Sequence, residues 1–451
     1  MNMRTINGRS TRVGRSTLCR IAVLLLLLPA YLPAQKGTKQ AEGIGETEYR
    51  SRRERLAASL DSGAALVMKA FDARTRSNDV SYRYRQESSF LYLTGLNEPG
   101  CYLLIVPRDA LVDSILSSVI LFVPPSHEFL SQRREEVGGA VLPSGRFKEV
   151  FDSVLPGLST LYYSAPDLGF RHDWINGKAL FIERESRKQF EETHPGLKLK
   201  PAGSLVAAAR SLKSTAEVDL IQAAINMTGS GLRGAMKICK PGTWEYELQA
   251  EIEYEMTRQG AEYESFPSII GSGKNSLILH YETNNRQTRN GDMVVMDVGA
   301  EYRGYAADIT RTIPVSGKFT KAQKEVYGIV LRAQKEVIQM IRPGISMGDL
   351  DARTRSIITE AGYGEFIRHG VSHPLGMDVH DVAAGFELKP GMVITVEPGI
   401  YIPADAQSVK AEYRGFGIRI EDDVLVTETG FKLLSKNIPK EIREIETIMK
   451  R

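Results

Sequence analysis

Asp297 and Asp308 lie eleven residues apart in GDMVVMDVGAEYRGYAADITRTIPVSG, a stretch whose apolar pattern predicts two strands joined by a short turn. If the chain reverses at Tyr302 and Arg303, the two carboxylates stand directly opposite one another, with Cβ atoms about 5 Å apart. Like charges so placed repel and destabilise the sheet unless a cation lies between them. A divalent metal meets that need. Further on, Glu397 ends the apolar strand GMVITVEPG, and Glu421 interrupts FGIRIEDDVLV on the same face as Arg419. Between Asp308 and Glu397, HGVSHPLGMDVHD carries His369, His373 and His380, three of the seven histidines in the chain. Gly370 and Pro374 argue against a helix there, so two zinc-binding histidines one helical turn apart are not expected.

Each residue alone has an ordinary reading: Asp297 as hydrogen-bonded structure, Glu421 as the partner of Arg419, the histidines as core or surface. Their convergence changes the balance, because four acids brought together and buried cannot all stay charged without a metal. Carboxylates with an imidazole form a hard, oxygen-rich shell suited to manganese, cobalt, iron or zinc in a bridged pair, and unsuited to copper(I) or an iron–sulfur cluster. Two metals roughly 3.5 to 4 Å apart can share a hydroxide and polarise a carbonyl, which is the chemistry of amide hydrolysis. GSGKNS (Gly271 to Ser276) lacks the spacing of a phosphate loop and reads as a turn.

The elements that hold these residues repeat. A helix from Ala216 to about Ile238 stops before Lys240-Pro241-Gly242, and a second runs from about Tyr246 to Gln259, ending at Gly260. One hundred and two residues later a helix from Lys321 to Met340 stops before Arg342-Pro343-Gly344, and its successor ends at Gly362; Leu248 and Leu350 keep the same offset. Each helix pair precedes apolar strands, Met293 to Pro314 in the first half, Met392 to Glu397 with Phe416 to Val426 in the second. Two related α-plus-β halves would meet at a pseudo-twofold axis, where a site can draw on both. Upstream, residues 45–205 alternate helical stretches with short apolar strands (Ala64 to Met68, Cys101 to Val106, Val119 to Val123) and read as an α/β domain. The small-residue and basic stretch AGSLVAAARSLKST leads from it into the second domain, residues 206–445, with Ser214 or Thr215 capping the next helix.

The formal charge of +3 reflects five arginines in the first 34 residues; removing these from the 58 basic residues leaves 53 against 55 acidic, about −2, which gives no electrostatic case for nucleic acid. Those arginines precede the apolar run Ile21 to Leu28 and the small residues of PAYLPAQ, the pattern of a signal peptide over residues 1–34. Export to a periplasm or to the medium is expected, with no membrane association unless the segment is retained as an anchor. The mature chain would hold Cys101 and Cys239 as buried thiols, with no disulfide framework.

The motifs ILHYETN with His280, MDVGAEYRGYAADITRT, HGVSHPLGMDVHD, VEPGIY and GIRIEDD resemble, in order and spacing, the pita-bread metallopeptidases, most closely their aminopeptidase P and prolidase branch. YRYRQESSFLYLTGLNEPG (Tyr82 to Gly100) resembles the N-terminal domain of that branch. The resemblance implies an α+β pita-bread catalytic domain behind an α/β domain, and release of the N-terminal residue from peptides with proline second. It implies that Asp297 binds one metal through both oxygens, that Asp308 and Glu421 bridge the pair, and that His373 and Glu397 complete the second site. Glu397 would also hold the attacking water and carry its proton. His280 and His380 would orient substrate and stabilise the tetrahedral intermediate, His369 and Arg419 would position the proline, and Tyr401 would contribute a hydroxyl. The cofactors expected are two divalent ions, manganese ahead of cobalt or zinc, and a homo-oligomer is implied. The alternatives are an X-Pro dipeptidase (prolidase) and a pita-bread binding protein or hydrolase that is not a peptidase. Pro374 stands where the aminopeptidase P group often has an aromatic residue.

Overall fold

Helix α1 (Glu46–Ser59) opens the part of the chain that the computed structural model describes, residues 43–112, 115–125, 138–164, 170–173, 178–383 and 385–450. The expected signal segment, 1–34, lies outside these residues. Along the chain follow β1 (Ala64–Lys69), a small hairpin of β2 (Thr75–Ser77) and β3 (Val80–Ser81), α2 (Ser88–Thr94), and the long pair β4 (Tyr102–Val112) and β5 (Ile115–Val123). Next come β6 (Ala140–Pro143), α3 (Phe147–Val154), β7 (Thr160–Ser164), a hairpin of β8 (Phe170–Asp173) and β9 (Lys178–Phe181), α4 (Ile182–Thr193), β10 (Lys198–Pro201) and α5 (Gly203–Ser211).

Six of these strands form one mixed sheet in the order β10-β7-β1-β4-β5-β6. Its central strands carry continuous apolar runs, residues 64–68, 103–106 and 119–123, because both faces are covered there. Leu66, Met68, Leu103, Ile105 and Leu121 turn toward one buried cluster, while Ala65, Leu104, Ile120 and Phe122 turn toward another together with Phe151 of α3. The expected domain boundary at 205/206 falls inside α5, so the crossing is a helix and not an extended linker. Ala202 and Val206 are buried there, and so is Arg210.

Ser214 caps α6 (Thr215–Ile238) through a capping box with Glu217, as the residue types predict. After it come α7 (Glu245–Arg258), β11 (Tyr263–Glu264), β12 (Ile269–Ser272), β13 (Met293–Val298), β14 (Ala300–Tyr302), β15 (Tyr305–Ala306) and β16 (Ile309–Pro314). The second half holds α8 (Lys321–Met340), α9 (Met347–Glu360), β17 (Val393–Val396), β18 (Gly399–Ile402), β19 (Phe416–Arg419), β20 (Asp422–Val426) and β21 (Phe431–Leu433), with α10 (Ile442–Ile448) closing the chain. The internal offset of 102 residues holds in three dimensions: it relates the last residues of α6 and α8 and both ends of α7 and α9. It also relates β12 to the segment Val371–Pro374. That segment lies beside β17 as β12 lies beside β13, with Thr395 N–H donating to His373 O and Glu397 N–H to Val371 O.

The hairpin carrying the two aspartates differs from the expected register. Arg303 and Gly304 have φ of 51° and 79°, so the reversal falls one residue later than Tyr302–Arg303. A tight hairpin turn of this kind needs positive φ at both central residues, which Gly304 supplies freely and which a Tyr-Arg pair would resist. Asp297 therefore faces Thr310, and continuation of the ladder on either side places Asp308 opposite Gly299, not opposite Asp297. Moving a turn by one residue shifts cross-strand partners by two, an even number, so Asp308 stays on the face of Asp297. Gly299 is required where it stands: a Cβ there would lie 1.8 Å from Ala307 O.

The second hairpin is interrupted in the same way. Pairing of β17 with β20 and of β18 with β19 keeps one register, and continuing it across the gap sets Glu421 opposite Glu397. Both carboxylates occupy the break where the chain leaves the ladder. Cys101 and Cys239 are buried and no disulfide joins them, as expected.

Candidate metal centre

Hairpin breaks from the two halves face each other across a cleft of about 490 Å³. Asp297, Asp308, Glu397, Glu421 and Arg419 line it from the strands, and His280, His369, His373 and His380 from loops; Phe266, Pro267, Ile269, Leu279 and Val379 supply apolar wall. The segment bearing His369, His373 and His380 is non-helical, as Gly370 and Pro374 require. Its hydrogen bonds to β17 fix His373, whose Nδ1 lies 3.1 Å from Pro374 O and whose Nε2 points inward, 3.4 Å from Asp308 Oδ2 and 3.4 Å from Glu397 Oε1. Ligand atoms of Asp308, His373 and Glu421 all lie within 4.8 Å of one another, the spacing that can hold a metal ion. Asp297 and Glu397 border this group. Asp297 Oδ2 accepts from Arg419 Nη2 at 2.5 Å, and Glu397 Oε2 lies 3.4 Å from His369 Nδ1.

Arg419 and Thr310 order the acids from behind. Arg419 Nε donates to Thr310 Oγ1 at 3.1 Å, and that hydroxyl donates to Glu421 Oε2 at 2.7 Å. Arg419 Nη1 donates to the Tyr401 hydroxyl at 2.6 Å, which also lies 2.8 Å from His369 Nε2. Tyr401 is thus 1 % exposed and does not line the cleft, which corrects the expectation that its hydroxyl meets substrate. Its place on β18 turns the ring inward, where it props Arg419 and His369 instead.

Two residues escaped the sequence reading. Thr310 is one; period two along β16 from Asp308 was the available signal. Asp423 is the other: its Oδ2 accepts the Asp308 backbone N–H at 3.2 Å, and alternation in the Glu421-Asp422-Asp423 run puts it on the face of Glu421.

The acids fit a divalent cation for a reason visible in their hydrogen bonding. Asp297 Oδ1, Glu421 Oε1 and Asp423 Oδ1 are buried and have no hydrogen-bond donor. Buried acceptors left in that state are unfavourable, and Asp297 Oδ1 and Glu421 Oε1 belong to acids that line the cleft. Burial, then the charges of Glu421 and Asp297, pushes the Asp308 carboxyl well above its usual range. Burial, then Glu397 and Asp297, does the same to Glu421, and burial raises Asp423. Glu397 is pushed up to about 8 by burial, against the pull of Arg419. Burial lowers His369 to about 4 with help from Arg419, and His373 to about 4 with help from His380. With neutral imidazoles and a protonated Glu397 near pH 7, their 3.4 Å approaches are polar contacts and not ion pairs.

These shifts set a pH dependence for the metal-free protein. The raised acids make the folded state bind more protons than the unfolded chain between about pH 4.5 and 8, so stability falls as pH rises through that range. The lowered histidines act oppositely, but only between about pH 4 and 6.5. Between pH 6.5 and 8 the acids act alone. The thermal midpoint of chelator-treated protein is expected to fall across this window, and saturating manganese to abolish the fall, because the cation replaces the protons. A midpoint that is flat or rises without metal would contradict the shifts.

Known proteins share both domains. Residues 219–428 match the family described as metallopeptidase family M24, and residues 49–151 match the aminopeptidase P N-terminal domain. Xaa-Pro aminopeptidase of Escherichia coli is 36 % identical over 436 residues, covering 90 % of this chain and 98 % of the relative. Human Xaa-Pro aminopeptidase 3 is 32 % identical over 445 residues, covering 90 % and 86 %. Among solved structures, zinc-substituted Escherichia coli aminopeptidase P in complex with product superposes with a TM-score of 0.78 at 35 % identity, covering 90 % of this chain and 99 % of that one. The chain belongs to metallopeptidase family M24, in the branch that carries the aminopeptidase P N-terminal domain. Its pita-bread catalytic domain and mixed α/β N-terminal domain are those the motifs implied.

Proposed function

We propose that this protein is a metal-dependent exopeptidase that releases the N-terminal residue from peptides with proline at the second position. The observation that carries the reading is the convergence of Asp308, His373 and Glu421 on one point in a cleft whose mouth holds two exposed imidazoles, His280 and His380. Asp297, Asp308, His373, Glu397 and Glu421 would hold two divalent ions, and the hard donor set supports manganese over cobalt or zinc. When bound, such ions supply Lewis acidity toward the scissile carbonyl and lower the pKa of water.

The chain's own residues do the rest. Glu397 lines the cleft 3.4 Å from His373 Nε2, and once cations replace the proton it carries in the metal-free protein it is placed to take a proton from the attacking water and return it to the departing proline nitrogen. His280 and His380 donate toward the oxygen on which negative charge develops. His369 holds the proline side of the cleft, and Arg419 holds Asp297 and Tyr401 in place. The apolar wall of Phe266, Pro267, Ile269 and Leu279 excludes water from the pyrrolidine ring.

Named relatives and the Tyr82 to Gly100 motif favour an aminopeptidase P over a dipeptidase. The decisive measurement compares Xaa-Pro dipeptides with Xaa-Pro-Xaa and longer peptides on manganese-loaded enzyme. A kcat/KM at least about tenfold higher for the tripeptide is expected, a gap of roughly 1.4 kcal/mol in transition-state binding. Turnover confined to dipeptides would make the protein a prolidase. Absence of release from all of them, with less than one bound ion per chain, would remove the peptidase reading.

A further inference from the structure

The Tyr82 to Gly100 motif of the N-terminal domain puts no residue into the cleft, yet its polar side chains reach the loop that carries His380. Arg85 Nη2 donates to Met377 O at 2.8 Å and lies 3.7 Å from Asp378 Oδ1, while its Nε lies 3.2 Å from both oxygens of Glu301 on β14. Its Nη1 donates to Ser88 Oγ at 2.6 Å, and that hydroxyl donates to Asp378 Oδ1. From α5, Arg210 places Nη1 on Ser89 Oγ at 3.0 Å and Nη2 on Asp378 Oδ2 at 2.7 Å and Asp381 Oδ1 at 2.5 Å. Lys213 Nζ donates to Asp381 Oδ2 at 3.0 Å.

The two gripped aspartates flank Val379 and His380 directly in sequence. His380 in turn stacks on His373, with ring centroids 4.0 Å apart. The loop has no regular secondary structure of its own. Backbone bonds from Ala306 N–H to Gly376 O and from Asp381 N–H to Pro374 O hold its ends. Between them its Asp378 and Asp381 side chains are gripped by three cations outside it, Arg85, Arg210 and Lys213, with Glu301 holding Arg85 in turn. Arg210, Lys213 and Asp381 are nearly inaccessible to solvent, so these charge-assisted bonds are little screened. Arg85 also ties the loop to β14, whose hairpin bears Asp297 and Asp308 at its base.

We infer that Arg85 and Arg210 are positioning residues, through which the N-terminal domain and α5 clamp the 376–381 loop and set the orientation of His380 for the reaction. The inference rests on the role of His380 given above. Asp378 is the place to test it, since its side chain is 43 % exposed and Asp378→Asn removes charge while keeping shape.

The experiment uses full-length, manganese-loaded protein and an Xaa-Pro-Xaa tripeptide, with Asp378→Asn, Arg85→Met, His380→Ala and the Asp378→Asn/His380→Ala pair. Asp378→Asn and Arg85→Met are each expected to lower kcat by about 10- to 100-fold, the scale of a misplaced catalytic group, with KM and metal content unchanged. Amide exchange at Val379 to Asp381 should rise by about tenfold or more in both, reporting a loosened loop. In the His380→Ala background Asp378→Asn should change kcat by less than about twofold, because two residues that act through one another are not additive. Equal losses in both backgrounds, or wild-type kcat and exchange in Asp378→Asn, would overturn the clamp. Should Arg85→Met not fold, Asp378→Asn decides alone. Wild-type kcat in His380→Ala would instead overturn the role of His380, and the exchange measurement would still decide whether the clamp exists.

Discussion

Glu397→Ala is expected to lower kcat on an Xaa-Pro-Xaa tripeptide by about 10⁴-fold, the upper range for loss of a positioned acid–base group. The carboxylate stands at the break in the second hairpin, 3.4 Å from both His373 Nε2 and His369 Nδ1, with 16 % of its side chain exposed to the cleft. Its backbone is held independently of the side chain, by the bond from its N–H to Val371 O at 2.8 Å. Truncation therefore leaves the strand in place. It also removes a carboxyl that burial already disfavours in its charged form, so the metal-free variant should unfold at no lower temperature than the wild type. Steady-state kinetics beside metal analysis separates two routes to the loss. Full metal content with lost kcat assigns the effect to proton transfer, reduced metal content assigns it to ligation, and wild-type turnover contradicts both.

The second large effect falls on stability, behind the cleft. Arg311→Met should destabilise the catalytic domain by about 3–5 kcal/mol, the range for breaking one partner of a buried ion pair. Arg311 is fully buried and uses every donor it has: Nε on Pro439 O at 2.8 Å, Nη1 on Thr310 O at 2.9 Å and Glu421 O at 2.5 Å, Nη2 on Asp422 Oδ1 at 2.8 Å and Ile438 O at 3.1 Å. It thereby joins β16 of one half to the Glu421–Asp422 strand of the other and to the segment before α10. Asp422 keeps Lys440, Gln334 and Ser435 as partners in the variant, so the loss should stop short of abolishing folding. Denaturant titration of metal-free protein measures it. Because Glu421 loses the donor to its carbonyl, manganese affinity should fall as well. A change below about 1 kcal/mol would mean that Lys440 alone satisfies Asp422.

Much of this arrangement could be read from residue order. The hairpin reading placed Asp297 with Asp308 on one face, and period two placed Arg419 with Glu421; Pro-Gly pairs marked the helix ends; Gly370 and Pro374 kept the histidine segment out of a helix. These are local effects, decided by dihedral preference and by the alternation of side chains. The cross-strand partner of Asp297 was not legible in the same way, since it depends on which two residues take positive φ. Arg303 and Gly304 do so, and Tyr302 does not.

Other features lay beyond sequence because contacts distant along the chain decide them. Tyr401 looked like a cleft residue until β18 turned it beneath Arg419. Thr310 became a link only when Glu421 and Arg419 converged on its hydroxyl from the other half. The clamp on His380 joins residues 121 to 292 positions apart.

By itself, then, the sequence determined the chemistry available to this protein: hard oxygen and imidazole ligands, on strand faces and loops, in two related halves. Only the tertiary structure decided which of those groups meet, which are left without a donor, and which stand behind the cleft. The division has a physical cause. Side-chain direction follows from backbone geometry over a few residues, whereas burial and charge pairing depend on what distant segments bring to the same place.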